Sequence, residues 1–261
     1  MRRYCAEFRL NQRRSSYGWF KLITQMVDPQ TNSLLLLYDD AQSIYGSRRA
    51  AKFSFKSVGI QAQGRTTILR VNYRNTNEIL ESAYRFAEDI ISPEDADEDG
   101  IPLVKPEMAG RHGAAPRLFR AASLSAEAKH IAQQLMLCHA NGTSWKDMAV
   151  LYHAHFIGDE VASALEQARI PYERLAKGGA SRKYKAGEDS VKLMTMHSSK
   201  GLEFPVVAIA GLGFMPSKAE KQADDARLLY VAMTRATDTL FITASKDSMF
   251  VKKWQQCDRA V

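Results

Sequence analysis

Residues 191–205, VKLMTMHSSKGLEFP, decide how this chain is read. Val191, Leu193 and Thr195 alternate with Lys192 and Met194, the period of two expected of a strand. The strand then delivers His197, Ser198, Ser199, Lys200 and Gly201 at its C-terminal end, and a second apolar run, Val206–Leu212, follows. In an open parallel α/β sheet, ligands collect at the carboxyl ends of the strands. Gly201 permits a close backbone approach or a positive φ. Taken alone, such a loop fits many α/β proteins of unrelated function.

Working outward, strand and helix patterns alternate. Arg117–Ala121 reads as a strand and Ser125–His139 as a helix with Ala128, Ile131, Ala132 and Leu135 on one face and Asn141-Gly142 as its stop. Met148–Tyr152 is a strand, Ile157–Ala168 a helix with Val161, Ala164, Leu165 and Ala168 inward, and Tyr172 opens a short strand. A helix over 222–235 and a strand over 239–243 follow. Tyr230 and Leu229 fall on the core face of that helix. Upstream, Tyr17–Val27 is an amphipathic helix ended by Asp28-Pro29, Leu34–Leu37 a buried strand, and Thr66–Val71 a strand. The helix after that strand is capped by Asn75 or Thr76 and buries Ile79, Ala83, Phe86, Ala87 and Ile90. Residues 1–16 show no period, and 92–116 and 176–190 read as a surface loop and a linker. The alternation predicts an α/β fold with a mainly parallel sheet and helices on both faces.

The 261 residues are 45% hydrophobic and 25% charged, ordinary for a soluble globular protein. No apolar run approaches a membrane span and no secretory leader is visible, so the expected setting is cytoplasmic, with no membrane partner. Cys5, Cys138 and Cys257 are scattered and lack metal-ligand spacing, which predicts reduced thiols and no metal site. The formal net charge of +7 is compatible with a nucleic-acid partner.

Three further blocks accompany the opening stretch: YDDAQSIYG at 38–46, LRVNYRNTNEI at 69–79 and DDARLLYVAMTRATDTLFIT at 224–243. In this order the four resemble the last four motif blocks of the UvrD/Rep-like superfamily 1 DNA helicases, and the resemblance runs from about Trp19 to Thr243. It implies two RecA-like domains of the P-loop NTPase kind that hydrolyse ATP with Mg2+ between them, translocate 3′-to-5′ along single-stranded DNA or at DNA junctions, and serve processes such as DNA repair. Catalysis of this kind is positioning plus charge stabilisation, and arginine suits it because its guanidinium is permanently charged, planar and bidentate.

Carried onto this chain, the resemblance makes Arg74 and Arg235 the arginines that meet the γ-phosphate and Gln42 the residue that senses it. Gly201 and Glu203 join them at the nucleotide, Glu203 beside the ribose. Tyr45, Thr195, His197 and Ser198 fall on the DNA-facing side, where an aromatic can stack on a base and short polar groups can meet phosphate. Each has an ordinary alternative: a surface ion pair for the arginines and Glu203, a turn for Gln42, a core or capping role for His197.

The chain also departs from the family. Asp39-Asp40-Ala41 has two acids where three are usual, and Ser47 stands where an aromatic is usual. His153 and His155 replace an Arg and an Asn near DNA; two histidines without a third ligand do not make a metal site. No G-x-x-x-x-G-K-[ST] occurs, and no Asp-Glu pair precedes the Trp19 helix. The chain thus reads as residues 1–65 from a first RecA-like domain and 66–261 as the second, with a linker over 173–190 in place of an accessory domain. The expectation is a partner in the missing N-terminal RecA-like domain, which would also supply the magnesium ligands, and no ATP hydrolysis by this chain alone. The alternative is a non-catalytic DNA- or protein-binding module of helicase ancestry.

Overall fold

The computed structural model describes residues 16–28, 34–35, 56–60, 71–88, 107–108, 110–175 and 188–258. Gln42, Tyr45, Ser47, the segments 1–15, 36–37 and 66–70, and most of the expected loop and linker lie outside them. The chain divides into two units, Met1–Arg70 with Ile91–Lys105, and Val71–Ile90 with Pro106–Val261.

In the first unit, α1 spans Ser16–Met26 and a 3-10 turn spans Lys56–Val58. The Thr24 hydroxyl donates to the Val58 carbonyl at 3.0 Å.

The second unit begins with β1 (Val71–Asn72) and α2 (Asn77–Ala87), then β2 (Glu107–Met108), which pairs parallel to β1 inside the stretch expected to be loop. It continues with β3 (Arg117–Arg120), α3 (Leu124–Ala140), β4 (Met148–Tyr152), α4 (His155–Gln167), β5 (Tyr172–Leu175) and β6 (Val191–Thr195). β7 (Phe204–Ala210), α5 (Gln222–Met233), β8 (Ala236–Ala244) and α6 (Met249–Asp258) complete it. The main sheet has six strands in the order β3-β8-β7-β4-β6-β5, every neighbouring pair parallel. This is the α/β architecture that the alternation predicts.

Local chemistry explains the boundaries. Ser123 caps α3 by accepting from the Ala126 N–H at 3.1 Å, and Asn141-Gly142 closes it, Gly142 at φ 97°. Pro205 has no N–H to give, and the ladder between β7 and β8 shifts register between Phe204 and Val206.

The inner residues of the sheet are covered on both faces. Met148, Val150, Tyr152, Val191, Leu193, Val206 and Ala208 pack with α3 and α4 through Ala128, Ile131, Leu135, Val161 and Leu165. On the α2, α5 and α6 side, Phe86 meets Phe250 edge-on at 5.2 Å and Trp254 at 6.3 Å. Each such side chain, fully buried, contributes roughly 1.5–3 kcal/mol of transfer free energy. The sequence reading assigns no element after Thr243; α6 is that omission, and its buried Phe250, Val251 and Trp254 carry a helical spacing.

β6 departs from simple alternation. Lys192 is buried, as are Val191, Leu193 and Met194. The strand is internal, flanked by β4 and β5, so both phases of its pleat are enclosed. The ammonium is accommodated by Glu173 Oε2 at 2.9 Å and Ser190 Oγ at 3.1 Å.

Candidate functional site

The register of the sheet separates the sequence-predicted residues into two groups. Tyr152 of β4 is level with Thr195 of β6 and Ala210 of β7. Phe204, at the start of β7, is level with Ala236, at the start of β8. The eight residues between Thr195 and Phe204 therefore cross from the carboxyl edge of the sheet to its amino edge. Thr195, His197 and Ser198 lie at the carboxyl edge, as the sequence predicts. Glu203 and Arg235, which directly precede β7 and β8, lie at the amino edge, with Gly201 on the approach to it. The expectation that β6 delivers the whole HSSKG run at its C-terminal end is corrected: the crossover divides it.

At the amino edge, Arg74 Nε contacts Glu203 Oε1 at 2.7 Å, both side chains 42% exposed. The Arg74 loop is built by two asparagines. Asn72 Oδ1 accepts from the N–H groups of Arg74 and Asn75 at 2.8 and 3.1 Å, and Asn72 Nδ2 donates to Asn75 Oδ1 at 2.9 Å. The Asn75 amide donates in turn to the carbonyls of Thr234 and Ala236, at 3.0 and 2.5 Å, on either side of Arg235. Asn75 is thus not the helix cap that its position suggests. Thr76 holds that position without a side-chain bond, its N–H donating to the Thr237 carbonyl at 3.2 Å. Arg111 closes the group, donating to the Arg74 carbonyl and meeting Asp238 Oδ1 at 2.5 Å.

Arg235 is 1% exposed, so a surface ion pair does not describe it. Its Nε donates to the Val231 carbonyl at 3.0 Å and its Nη1 to the Leu202 carbonyl at 3.3 Å. A cation on the last carbonyls of α5 is favoured by the negative end of the helix dipole. The Arg235 carbonyl accepts from the Phe204 N–H at 2.9 Å, which fixes the start of β7 beside it. Gly201 has φ 82° and open space where a Cβ would stand. Its lack of a side chain answers a backbone need, and the space beside it is accessible.

At the carboxyl edge, Thr195 caps the 3-10 turn Met196–Ser199: its hydroxyl accepts from the Ser198 N–H at 3.2 Å and lies 2.8 Å from the Ser198 hydroxyl. The His197 ring lies 6.4 Å from that of His153, whose Nε2 is 3.5 Å from Asp225 Oδ1. Asp225 also accepts from the Ser217 N–H and hydroxyl at 2.7 and 2.8 Å, linking the start of α5 to this edge. His155 starts α4, so His153 and His155 are not on one strand face. Asn75 and Asp225 escape sequence reading as site residues. An acid in the first turn of α5 was legible, but only as a dipole partner. Leu229 and Tyr230 are buried, as expected of packing residues.

The profile of the family described as "UvrD-like helicase C-terminal domain" matches residues 67–179 and 174–247. The ATP-dependent DNA helicase PcrA of Staphylococcus aureus (strain Mu50 / ATCC 700699) is 46% identical over 71 residues, 24% of this chain and 10% of that protein. PcrA of Staphylococcus epidermidis, likewise an ATP-dependent DNA helicase, is 43% identical over 77 residues, 26% of this chain and 11% of that protein. An ATP-dependent helicase/nuclease polypeptide of Bacillus velezensis is 35% identical over 126 residues, 31% of this chain and 10% of that protein. The chain thus spans about a tenth of the length of these curated relatives. Among solved structures, the C-terminal domain of a possible DNA helicase from Lactobacillus plantarum WCFS1 aligns over 70% of this chain and 93% of that one, with TM-score 0.49 and 17% identity.

Proposed function

The chain belongs to the UvrD-like helicase C-terminal domain family, and from that premise we propose that it supplies one side of an ATP site and part of a single-stranded DNA track in a cytoplasmic 3′-to-5′ helicase or translocase. Residues 66–261 are then the second RecA-like domain and 1–65 part of the first. The observation that carries the reading is the meeting of Arg74, Glu203 and the Arg235 segment at one edge of the sheet, while Thr195, His197 and Ser198 leave the other.

Arg74 is the group best suited to a phosphate. It is exposed, held in place by Glu203, and bidentate toward oxygen anions. The γ-phosphate competes with Glu203 for it, and Glu203 turns to the ribose. Arg235 braces the loop behind it through the Val231 and Leu202 carbonyls. Gln42 joins the γ-phosphate and Tyr45 the DNA in the same scheme. Among the described residues no group of three or more His, Cys, Asp or Glu is arranged to hold a metal ion. In this scheme Mg2+ comes with ATP on the phosphate-loop domain of the helicase.

ATP hydrolysis by the purified chain, with and without oligothymidylate, tests this. We expect no turnover until a separately produced phosphate-loop domain is added. The restored rate should then fall about 10³-fold or more in Arg74→Ala, the loss usual for an arginine acting on the transferring phosphoryl group. Turnover by the chain alone that disappears in Arg74→Ala overturns the half-site reading. The inward position of Arg235 favours one alternative, a binding module without catalysis. That module would bind oligonucleotide but restore no hydrolysis.

A further inference from the structure

Three strand ends bring a second set of side chains to the edge that carries Thr195, His197 and Ser198. α4 starts three residues after Tyr152, so Phe156 emerges there. β7 ends at Ala210 and turns through Leu212–Phe214, and β8 ends at Ala244, two residues before Lys246. Phe156 is 50% exposed. Its ring meets Phe214 edge-to-face at 5.1 Å, and the Lys246 ammonium stands 4.4 Å from the centre of the Phe214 ring.

The backbone is shaped for this arrangement. A Cβ on Gly213 would come within 2.5 Å of the Lys246 carbonyl oxygen, so glycine alone allows the two turns to touch. Behind them, the buried Glu127 carboxylate accepts from the Gly211 N–H at 3.0 Å and from the Thr243 hydroxyl at 2.6 Å, clamping the ends of β7 and β8 together. The neighbouring acids are occupied: Asp159 pairs with Arg174 at 2.5 Å and Asp247 with Arg120 at 2.7 Å. Lys246 is exposed.

We propose that Phe156, backed by Phe214 and flanked by Lys246, is a stacking platform for a base of single-stranded nucleic acid, with Lys246 on the adjoining phosphate. This rests on the reading of the carboxyl edge as a DNA track. It adds an aromatic to a chain that has Ser47 where the resemblance calls for one. Stacking is indifferent to sequence because every base has a π-face, and a cation beside the ring serves the backbone.

The test is anisotropy of fluorescein-labelled oligothymidylate with the whole chain across a salt series. Phe156→Ala should weaken binding about tenfold, within the range for loss of one base stack, and leave the salt slope unchanged. Lys246→Ala should reduce the slope by about 0.7, one phosphate contact on a single strand. Phe156→Trp should retain binding, with its fluorescence quenched by the oligonucleotide. Thermal melts confirm folding of each variant; Phe156 is half exposed, so its removal opens no cavity. Binding that is weakened in Ser198→Asp but unchanged in Phe156→Ala overturns the platform and leaves the track intact. No binding by the parent chain overturns both. Self-association that Phe156→Ala abolishes, without any effect on oligonucleotide, assigns the patch to contact between copies and also overturns the proposal.

Discussion

Asn75 illustrates how much a single amide can organise. Only 2% of it is exposed, and it joins the Arg74 loop to the carbonyls that flank Arg235. Asn75→Ala removes a buried donor from two carbonyls at once, and the expected loss of stability is about 2–3 kcal/mol by urea titration. The Arg74–Glu203 pair is the opposite case. Both partners are substantially exposed, so Glu203→Gln should change stability by less than about 1 kcal/mol in the same titration. A larger change would show that the pair holds the loop together and is not an exchangeable contact. Sequence patterns identify Asn75 as polar and near a helix start, which suggests a cap. The bonds that matter reach across 159 and 161 positions, and no local pattern encodes them.

At the scale of elements, β6 and α2 each invite a measurement. Lys192 and Glu173 form a buried pair 2.9 Å apart, with exposures of 0% and 6%. Lys192→Met leaves a carboxylate buried without its counter-charge and should cost roughly 3–5 kcal/mol, whereas Lys192→Met with Glu173→Leu should recover most of that. Additive losses in the double variant would contradict the pairing argument. α2 is fastened at its first turn by Glu78, which accepts from the Gly113 N–H at 2.8 Å and lies 2.9 Å from His112 Nδ1. The hydrogen bond with His112, then backbone N–H groups, hold its carboxyl below the ordinary 4.5 against a small opposing effect of burial. A depressed folded-state value stabilises the protein above the unfolded one. The contribution is complete above about pH 4.5 and is lost as the pH falls through the folded value. Glu78→Gln should therefore lower stability at neutral pH, and the gap between variant and parent should close in acid. A gap that persists at pH values well below 4.5 would exclude this linkage.

Across the whole second unit, the sheet separates the two proposed chemistries by the length of its strands. Nucleotide-facing and nucleic-acid-facing substitutions should then be separable in one assay. Arg74→Ala should leave oligothymidylate affinity of the chain within about twofold, since its position is remote from the phosphate track that dominates such binding. Ser198→Asp should weaken affinity by introducing a negative charge at the track, more strongly at low salt. Equal losses from both would show that one surface serves both ligands.

By itself, the sequence determined the types of most elements between residues 117 and 243, the parallel α/β class and the family, because apolar periodicity and dense polar blocks at strand ends are local and survive without coordinates. Asn141-Gly142, the apolar run of β4 and the core faces of α2, α3 and α4 are legible for the same reason. Only the tertiary structure decided which edge the described motif residues occupy. That depends on strand order, and strand order is set by how helices pack on both faces, not by any short window. The eight-residue crossover from Thr195 to Phe204 reads in sequence as one polar loop, and the sheet register divides it. The inward turn of Arg235, the burial of Lys192 and the meeting of Phe156 with Phe214 and Lys246 likewise follow from contacts between distant segments.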